Sequence, residues 1–473
     1  MGLLLFGSSA YAAILYSSSI VYYNNSSTNI ISNNVQGALE ELATQYQGDY
    51  RCPAGKVCTR KGQPVLDDGM IPVTIANDGT VTTVTEDDDT WFNYDNKLWA
   101  NAVLVKESGV KTRAQNKVAG TVINQDDILA YFVWIPRYSY KIWTLDASGD
   151  HTGDEQTIDI KFVDINTKEN GSAVGDYYTH PAFTFGTEEL PGFWVGKFES
   201  STDTSSTCYT STSSSNCNNA NQSPRIVPNV KSLVYQTVGN QFATSLKFAG
   251  GSQSGSTVTF TGNSTYGLTA SSDSHMMKNS EWGAVAYLSH SNYGINEEIR
   301  INNFYNSSGY TFKTGFGAGT ANASSTNTTT GGIVYGSASS YPQSTTGNIS
   351  GVFDMSGGAN EYVMGNFNGT TNTYFSTLPA SKYYDNYPSS TFTDDSSTNF
   401  TFCTLATCGG HALNETRNWY DDYANFVSSS YPWFMRGCHH GSGSAAGAFY
   451  SGYYSGDSGH GSSWRGVLVA RQY

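Results

Sequence analysis

The chain has 473 residues, room for two or three ordinary domains or for one large domain with insertions. Only 14% of the residues are charged, while Gly (49) and Tyr (33) are abundant beside Ser, Thr and Asn, which excludes a helical, Lys- and Leu-rich cytosolic enzyme and describes a β-rich, loop-rich surface protein. The net charge of −14, with Lys and Arg scattered, repels phosphate backbones and excludes a nucleic-acid partner.

Residues 1–12 read as a signal-peptide remnant. Leu3–Phe6 is apolar and Ala10-Tyr11-Ala12 is a small-x-small cleavage pattern, although a basic leader is missing; the alternative is a short buried strand. After a polar lead-in, Asn34–Gln47 reads as one helix, with Val35, Leu39 and Leu42 on one face and Asn34 as its cap. Such a helix serves as a stalk or homo-oligomer contact, or packs onto its own domain. Residues 13–60 are therefore expected to form a stalk helix and a small disulfide loop.

Residues 64–190 are expected to form a β-rich subdomain, with strand patterns at Ile71–Ala76 and Ala130–Ile135. The acidic run Glu86–Asp89 lacks the alternation of a calcium loop and reads as a solvated turn. Beyond it, aromatic strand signals alternate with long polar loops at 201–223, 250–275, 318–347 and 369–400, and one helix is expected over Lys278–Leu288 with Trp282, Val285 and Leu288 on a face. No later run approaches the roughly 18 apolar residues of a membrane helix, so no transmembrane segment is expected.

Six of the seven cysteines fall in close pairs, Cys52 with Cys58, Cys208 with Cys217 and Cys403 with Cys408, the spacing of local disulfides in an oxidising compartment. Free thiols or metal ligands are the alternatives, but no pair is C-x-x-C and no His stands at a zinc-finger offset. Cys438 is left over.

Four segments occur in order: Gly192-Phe-Trp-Val-Gly-Lys-Phe-Glu199; His275-Met-Met-Lys-Asn-Ser-Glu-Trp-Gly-Ala-Val-Ala-Tyr-Leu288; Asp354-Met-Ser-Gly-Gly-Ala-Asn-Glu-Tyr-Val363; and Trp433-Phe-Met-Arg-Gly-Cys438, closing with Ser463-Trp-Arg-Gly-Val-Leu468. Together they resemble the formylglycine-generating-enzyme family, a branch of the C-type-lectin-like fold. The resemblance implies an α+β fold with twisted antiparallel sheets, few helices and long loops, spanning a ligand-binding domain over 191–473. Read residue by residue, the positions are structural. Trp282 fills a core while its indole N–H finds a partner, Gly357-Gly358 permits a tight turn, and Glu361 is placed to accept backbone N–H bonds.

The catalytic members of that family carry two cysteines just after their R-G-G. Here the segment reads Cys438-His-His-Gly-Ser-Gly-Ser-Ala-Ala-Gly-Ala-Phe449, and one thiol cannot act as a paired copper or redox site. An enzyme is therefore not expected, and a formylglycine-generating-type oxidase is the disfavoured alternative. His439, His440, His460 and Asp457 are read as solvent-facing and not as a metal site. Calcium is conceivable on this fold as a structural ion, with no ligands assignable. No other cofactor is expected.

Of residues 433–473, nine are Gly, seven Ser and four Tyr, the adaptable and amphipathic residues of antibody paratopes. The segment 433–466 resembles the variable region of diversity-generating-retroelement target proteins, whose mutagenesis replaces adenines. Asn occupies 38 of the first 425 positions and none of the last 48, while Ser, Tyr, His and Asp, each one adenine change away, are plentiful. The resemblance implies ligand contact by Cys438, His439, His440, Ser442, Ser444, Tyr450, Tyr453, Tyr454, Ser455, Asp457 and His460.

The expected function is an extracellular recognition protein, an adhesin or receptor-binding protein of a bacterial cell surface or phage tail, with a cell-surface protein or glycan as ligand. A structural subunit of a surface filament is the alternative.

Overall fold

The computed structural model describes residues 62–142, 155–171, 175–211, 214–306, 312–318, 333–459 and 461–470. The expected signal remnant, the 34–47 helix and the Cys52–Cys58 pair lie outside the described residues.

The fold is α+β, with mostly antiparallel sheets and few helices. The larger sheet has eight strands: β1 (Ile71–Ile75), β2 (Val81–Thr83), β3 (Asn101–Val105), β4 (Val122–Ile123), β5 (Ile128–Pro136), β6 (Gly192–Gly196), β7 (Asp273–Met276) and the last strand of the described chain. The smaller sheet is built from β8 (Asn360–Phe367), β9 (Asp385–Tyr387), β10 (Trp433–Arg436), β11 (Ser451–Tyr454) and β12 (Ser462–Trp464). The last strand, β13 (Gly466–Val469), returns to the larger sheet, whose order is β7-β13-β6-β5-β3-β1-β2-β4. Every neighbouring pair in it is antiparallel. Strands from either side of residue 190 thus share one sheet, with Trp194 of β6 opposite Trp134 of β5 on one side and Leu468 of β13 on the other.

The burial pattern explains the sequence pattern. β5, Ile-Leu-Ala-Tyr-Phe-Val-Trp-Ile-Pro, is buried along its whole length, so it reads as a continuous apolar run, whereas β1 alternates buried and half-buried positions. Two helices, α1 (Val238–Ser245) and α2 (Asn279–Ser289), pack against these sheets. α2 is buried at all eleven positions. Its Gly283 is forced by a neighbour, because a Cβ there would stand 2.0 Å from the Gly410 carbonyl oxygen. Trp282 donates its indole N–H to the Ala448 carbonyl at 2.7 Å, the partner its burial demands.

Polar ties close the long connections. Asp67 accepts from the hydroxyls of Thr269 at 2.6 Å and Ser272 at 2.7 Å, fixing the start of the described chain to the approach to β7. The run Glu86–Asp89 lies in a solvated turn. The region 250–275, expected as a loop, holds a two-stranded hairpin, Gly251–Ser254 with Thr257–Phe260. Cys208 with Cys217 and Cys403 with Cys408 form disulfides, their Cα atoms 4.8 and 5.4 Å apart. Among the described residues no helix is long and apolar enough to cross a membrane.

Candidate functional site

The segment 433–466 is held at both ends by buried strands. β10 lies between β8 and β11 in the smaller sheet, and β12 pairs with β8, so the chain crosses from one edge of the β8–β10 pair to the other between residues 455 and 461. Arg436 stands opposite Ser451 and Trp433 opposite Tyr454. That register sends the 437–450 connection out at one end of β11 and the 455–461 connection at the other.

At the first end the chain turns through two left-handed residues, Gly437 (φ +73°) and Cys438 (φ +60°). Cys438 thus stands in a conformation that a side chain takes up only at a cost. It lies buried beneath the surface, its Sγ 2.8 Å from Ser442 Oγ, in a small apolar cluster with Ile301, Ala318, Ala446 and the half-buried Tyr450. His439 and Ser444 are exposed. His440 is half-buried, its ring stacked on Tyr305 at 4.1 Å and 5.4 Å from Phe312. Although His439 stays exposed, partial desolvation by its surroundings keeps it below its usual pKa; burial brings His440 down to about 4, with His439 adding to the second shift. Burial also raises the Cys438 thiol and the Tyr450 phenol. The two imidazoles, the thiol and the phenol at this end are all shifted toward their neutral forms.

At the other end, half-buried Tyr453 and exposed Tyr454 meet Tyr431, with ring centroids 5.2 and 6.2 Å away. Asp457 accepts from the Gly459 N–H at 2.8 Å and from the Ser455 hydroxyl at 3.3 Å. The Asn372 amide donates to the Ser455 carbonyl at 2.7 Å, which fixes this connection to the neighbouring loop. His460 lies outside the described residues.

The structure therefore gathers the expected contact residues into two groups and not one. Cys438, His439, His440, Ser442, Ser444 and Tyr450 sit at one end of β11, and Tyr453, Tyr454, Ser455 and Asp457 at the other. Tyr305, Phe312 and Tyr431 join these groups from outside 433–466. Tyr431 follows Ser428-Ser-Ser in the sequence, a polar setting that marks an exposed ring; Tyr305 and Phe312 carry no local signal.

The charged residues of the four ordered segments lie below this surface, in the core. Glu199, Asp354, Glu361 and Arg465 are all fully buried. Glu199 accepts from the Ala359 N–H at 2.9 Å and the Ser232 hydroxyl at 2.6 Å. The backbone acceptor beside the glycine turn is thus Glu199, whereas Glu361 is paired with Arg465, not with backbone N–H groups. Asp354 accepts from Gly315 N–H at 2.9 Å and Asn302 at 2.9 Å. Burial, reinforced by Asp354 and Glu361, pushes Glu199 well above the usual carboxylate range. Burial raises Glu361 to about 7 against the pull of Arg465.

Gly358 makes this arrangement possible. It has φ +72°, and a Cβ on it would stand 2.0 Å from Glu199 Oε1. Gly358→Ala is expected to cost about 2–3 kcal/mol in urea unfolding, since it combines backbone strain with a clash against a fixed carboxylate. A loss below about 0.5 kcal/mol would show that the turn relaxes freely.

A second buried network lies at the start of α2. His275 Nδ1 is 2.9 Å from Asp273 Oδ1 and its Nε2 is 3.1 Å from Glu281 Oε1. The ring stacks on Phe185, and Asp273 also accepts from Tyr383 at 2.8 Å. Among the described residues no group of three or more His, Cys, Asp or Glu side chains is arranged to hold a metal ion. No protein-family model matches the chain, and no curated protein matches it.

Proposed function

We propose that this protein is an extracellular recognition protein, an adhesin or receptor binder. Its C-type-lectin-like scaffold of the formylglycine-generating-enzyme kind displays the segment 433–466 as a diversifiable ligand surface. The observation that supports this reading most directly is the contrast between backbone and side chains in that segment. β10, β12 and β13 are buried throughout, while His439, Ser444 and Tyr454 between them are exposed. Side chains anchored in this way can change without disturbing the core beneath, as diversification requires. The two groups are rich in Tyr, Ser and His, which offer large contact area at small entropic cost and adaptable hydrogen bonding.

Recognition is favoured over oxidation because, among the described residues, Cys438 has no thiol partner, the four other cysteines there being joined in two disulfides. Those disulfides accord with an oxidising compartment.

Sequencing the 3′ end of the gene across its source population tests the proposal. Dense substitution is expected at the codons of His439, Ser444, Tyr453, Tyr454 and Asp457, with constancy at those of 433–436 and 462–469. Uniform codons throughout would remove the diversification reading.

A further inference from the structure

We propose a second binding site, outside the C-terminal segment, for a neutral saccharide. An open cleft of about 420 Å³ lies between the start of α1, the 251–260 hairpin and the 373–377 connection, within the size range of small-molecule sites. Its walls include Thr237, Asn240, Gln253, Thr373, Tyr374 and Ser376, and no acidic or basic residue lines it.

The chemistry of the walls selects the ligand. An anion would find no cation there, and the helix N-terminus offers it no free N–H. The first-turn N–H groups of α1 are already used: Val238 donates to the Gly456 carbonyl at 2.9 Å, Gly239 to the Tyr374 carbonyl at 3.1 Å, Asn240 to Thr237 Oγ1 at 3.4 Å and Gln241 to the Thr237 carbonyl at 2.9 Å. An apolar ligand would strip water from hydroxyl and amide groups without replacing its hydrogen bonds. A sugar meets both demands. Its hydroxyls can bond to Thr373, Tyr374 and Ser376, whose hydroxyls bond to no described residue, and its C–H face can lie on an aromatic ring.

The walls are also fixed in advance. The Gln253 amide donates to the carbonyls of Gly255 and Thr377, both at 2.9 Å, and Ala380 N–H donates to the Ser256 carbonyl at 2.8 Å, so hairpin and connection are tied together. Phe375 anchors the floor by stacking on Trp433 at 5.5 Å. Preorganised walls reduce the ordering cost of binding. The cleft lies outside 433–466, so the proposal stands apart from the reading of that segment.

The test is titration of the full chain with glucose, galactose, mannose, N-acetylglucosamine, lactose and maltose, followed by calorimetry and saturation-transfer NMR. The expected result is saturable binding of at least one of them at millimolar concentration or below. Tyr374→Ala should weaken it at least tenfold, and Ser376→Trp, at an exposed position, should abolish it by filling the cleft with an indole. Circular dichroism confirms that each variant is folded; if Tyr374→Ala does not fold, Ser376→Trp decides. Saturation by none of these sugars up to roughly 20 mM would overturn the proposal. So would binding unchanged in Ser376→Trp, or tighter binding of glucuronate than of any neutral sugar.

Discussion

His275→Ala is expected to lower the unfolding free energy by about 3–5 kcal/mol, because it leaves Asp273 and Glu281 buried and facing each other without a cation between them. Burial alone would drive the His275 pKa down, but Glu281 and Asp273 on its two nitrogens raise it. Burial favours neutral forms of Asp273 and Glu281 as well, yet His275 holds both below their usual values, with Lys382 assisting at Asp273 and Lys278 at Glu281. The sign of the pH effect follows. The contribution of the raised imidazole is complete below its unfolded pKa of 6.5 and is lost as pH rises through the folded value. That of the two carboxylates is present above their unfolded values and is lost on acidification. The network is therefore strongest between those ranges. Denaturant unfolding at pH 5.5 measures it, and combining His275→Ala with Glu281→Gln should recover part of the loss. A cost below about 1 kcal/mol for the single variant would show that water or a neighbouring cation replaces the imidazole.

The buried acids around Arg465 should give the protein a pH dependence of its own. Glu199, Asp354 and Glu361 all titrate above their unfolded values, chiefly through burial, so the folded state holds protons that the unfolded chain has released. Stability then falls as pH rises from the ordinary carboxylate range. For Glu361, whose pKa moves from 4.5 to about 7, the fall amounts to about 3 kcal/mol and is complete above pH 7. Glu199→Gln keeps the shape and an acceptor for the Ala359 N–H while removing the titration. It should leave stability at pH 5 nearly unchanged and raise it at pH 8.5. A wild-type protein equally stable at pH 5.5 and 8.5, measured by urea midpoint, would contradict the assignment.

Much of this core was legible in the residues themselves, for different reasons in different places. β5 could be read because a strand buried on both faces is a continuous apolar run. α2 was readable because Trp282, Val285 and Leu288 recur with helical spacing, and its ends fall within one residue of expectation. The turn at Gly357-Gly358 was legible because only glycine suits it, whereas the partner it faces was not: Glu199 reaches the turn across 160 positions of chain. The hairpin at 251–260 escaped notice because only its second strand, Thr-Val-Thr-Phe, alternates in character, over just four residues, while the first, Gly-Ser-Gln-Ser, carries no apolar residue. At the candidate surface, composition singled out the segment but could not separate Cys438, which is buried, from His439 beside it, which is exposed. Tyr305 and Tyr431 approach His440 and Tyr453 only through the fold, which local patterns do not encode.

β13 occupies an interior position between β6 and β7, although it is the last strand of the described chain. Its place has a consequence for how variants of the preceding segment survive. Substitutions between 437 and 461 that keep the reading frame leave β13 as it was. An insertion or deletion that shifts the frame there rewrites β13 too and strips an interior strand from the larger sheet. β6 and β7 would then carry open edges, which invite aggregation and proteolysis. The fold therefore tolerates in-frame substitutions in the 437–461 connections while rejecting frameshifts there at the folding step.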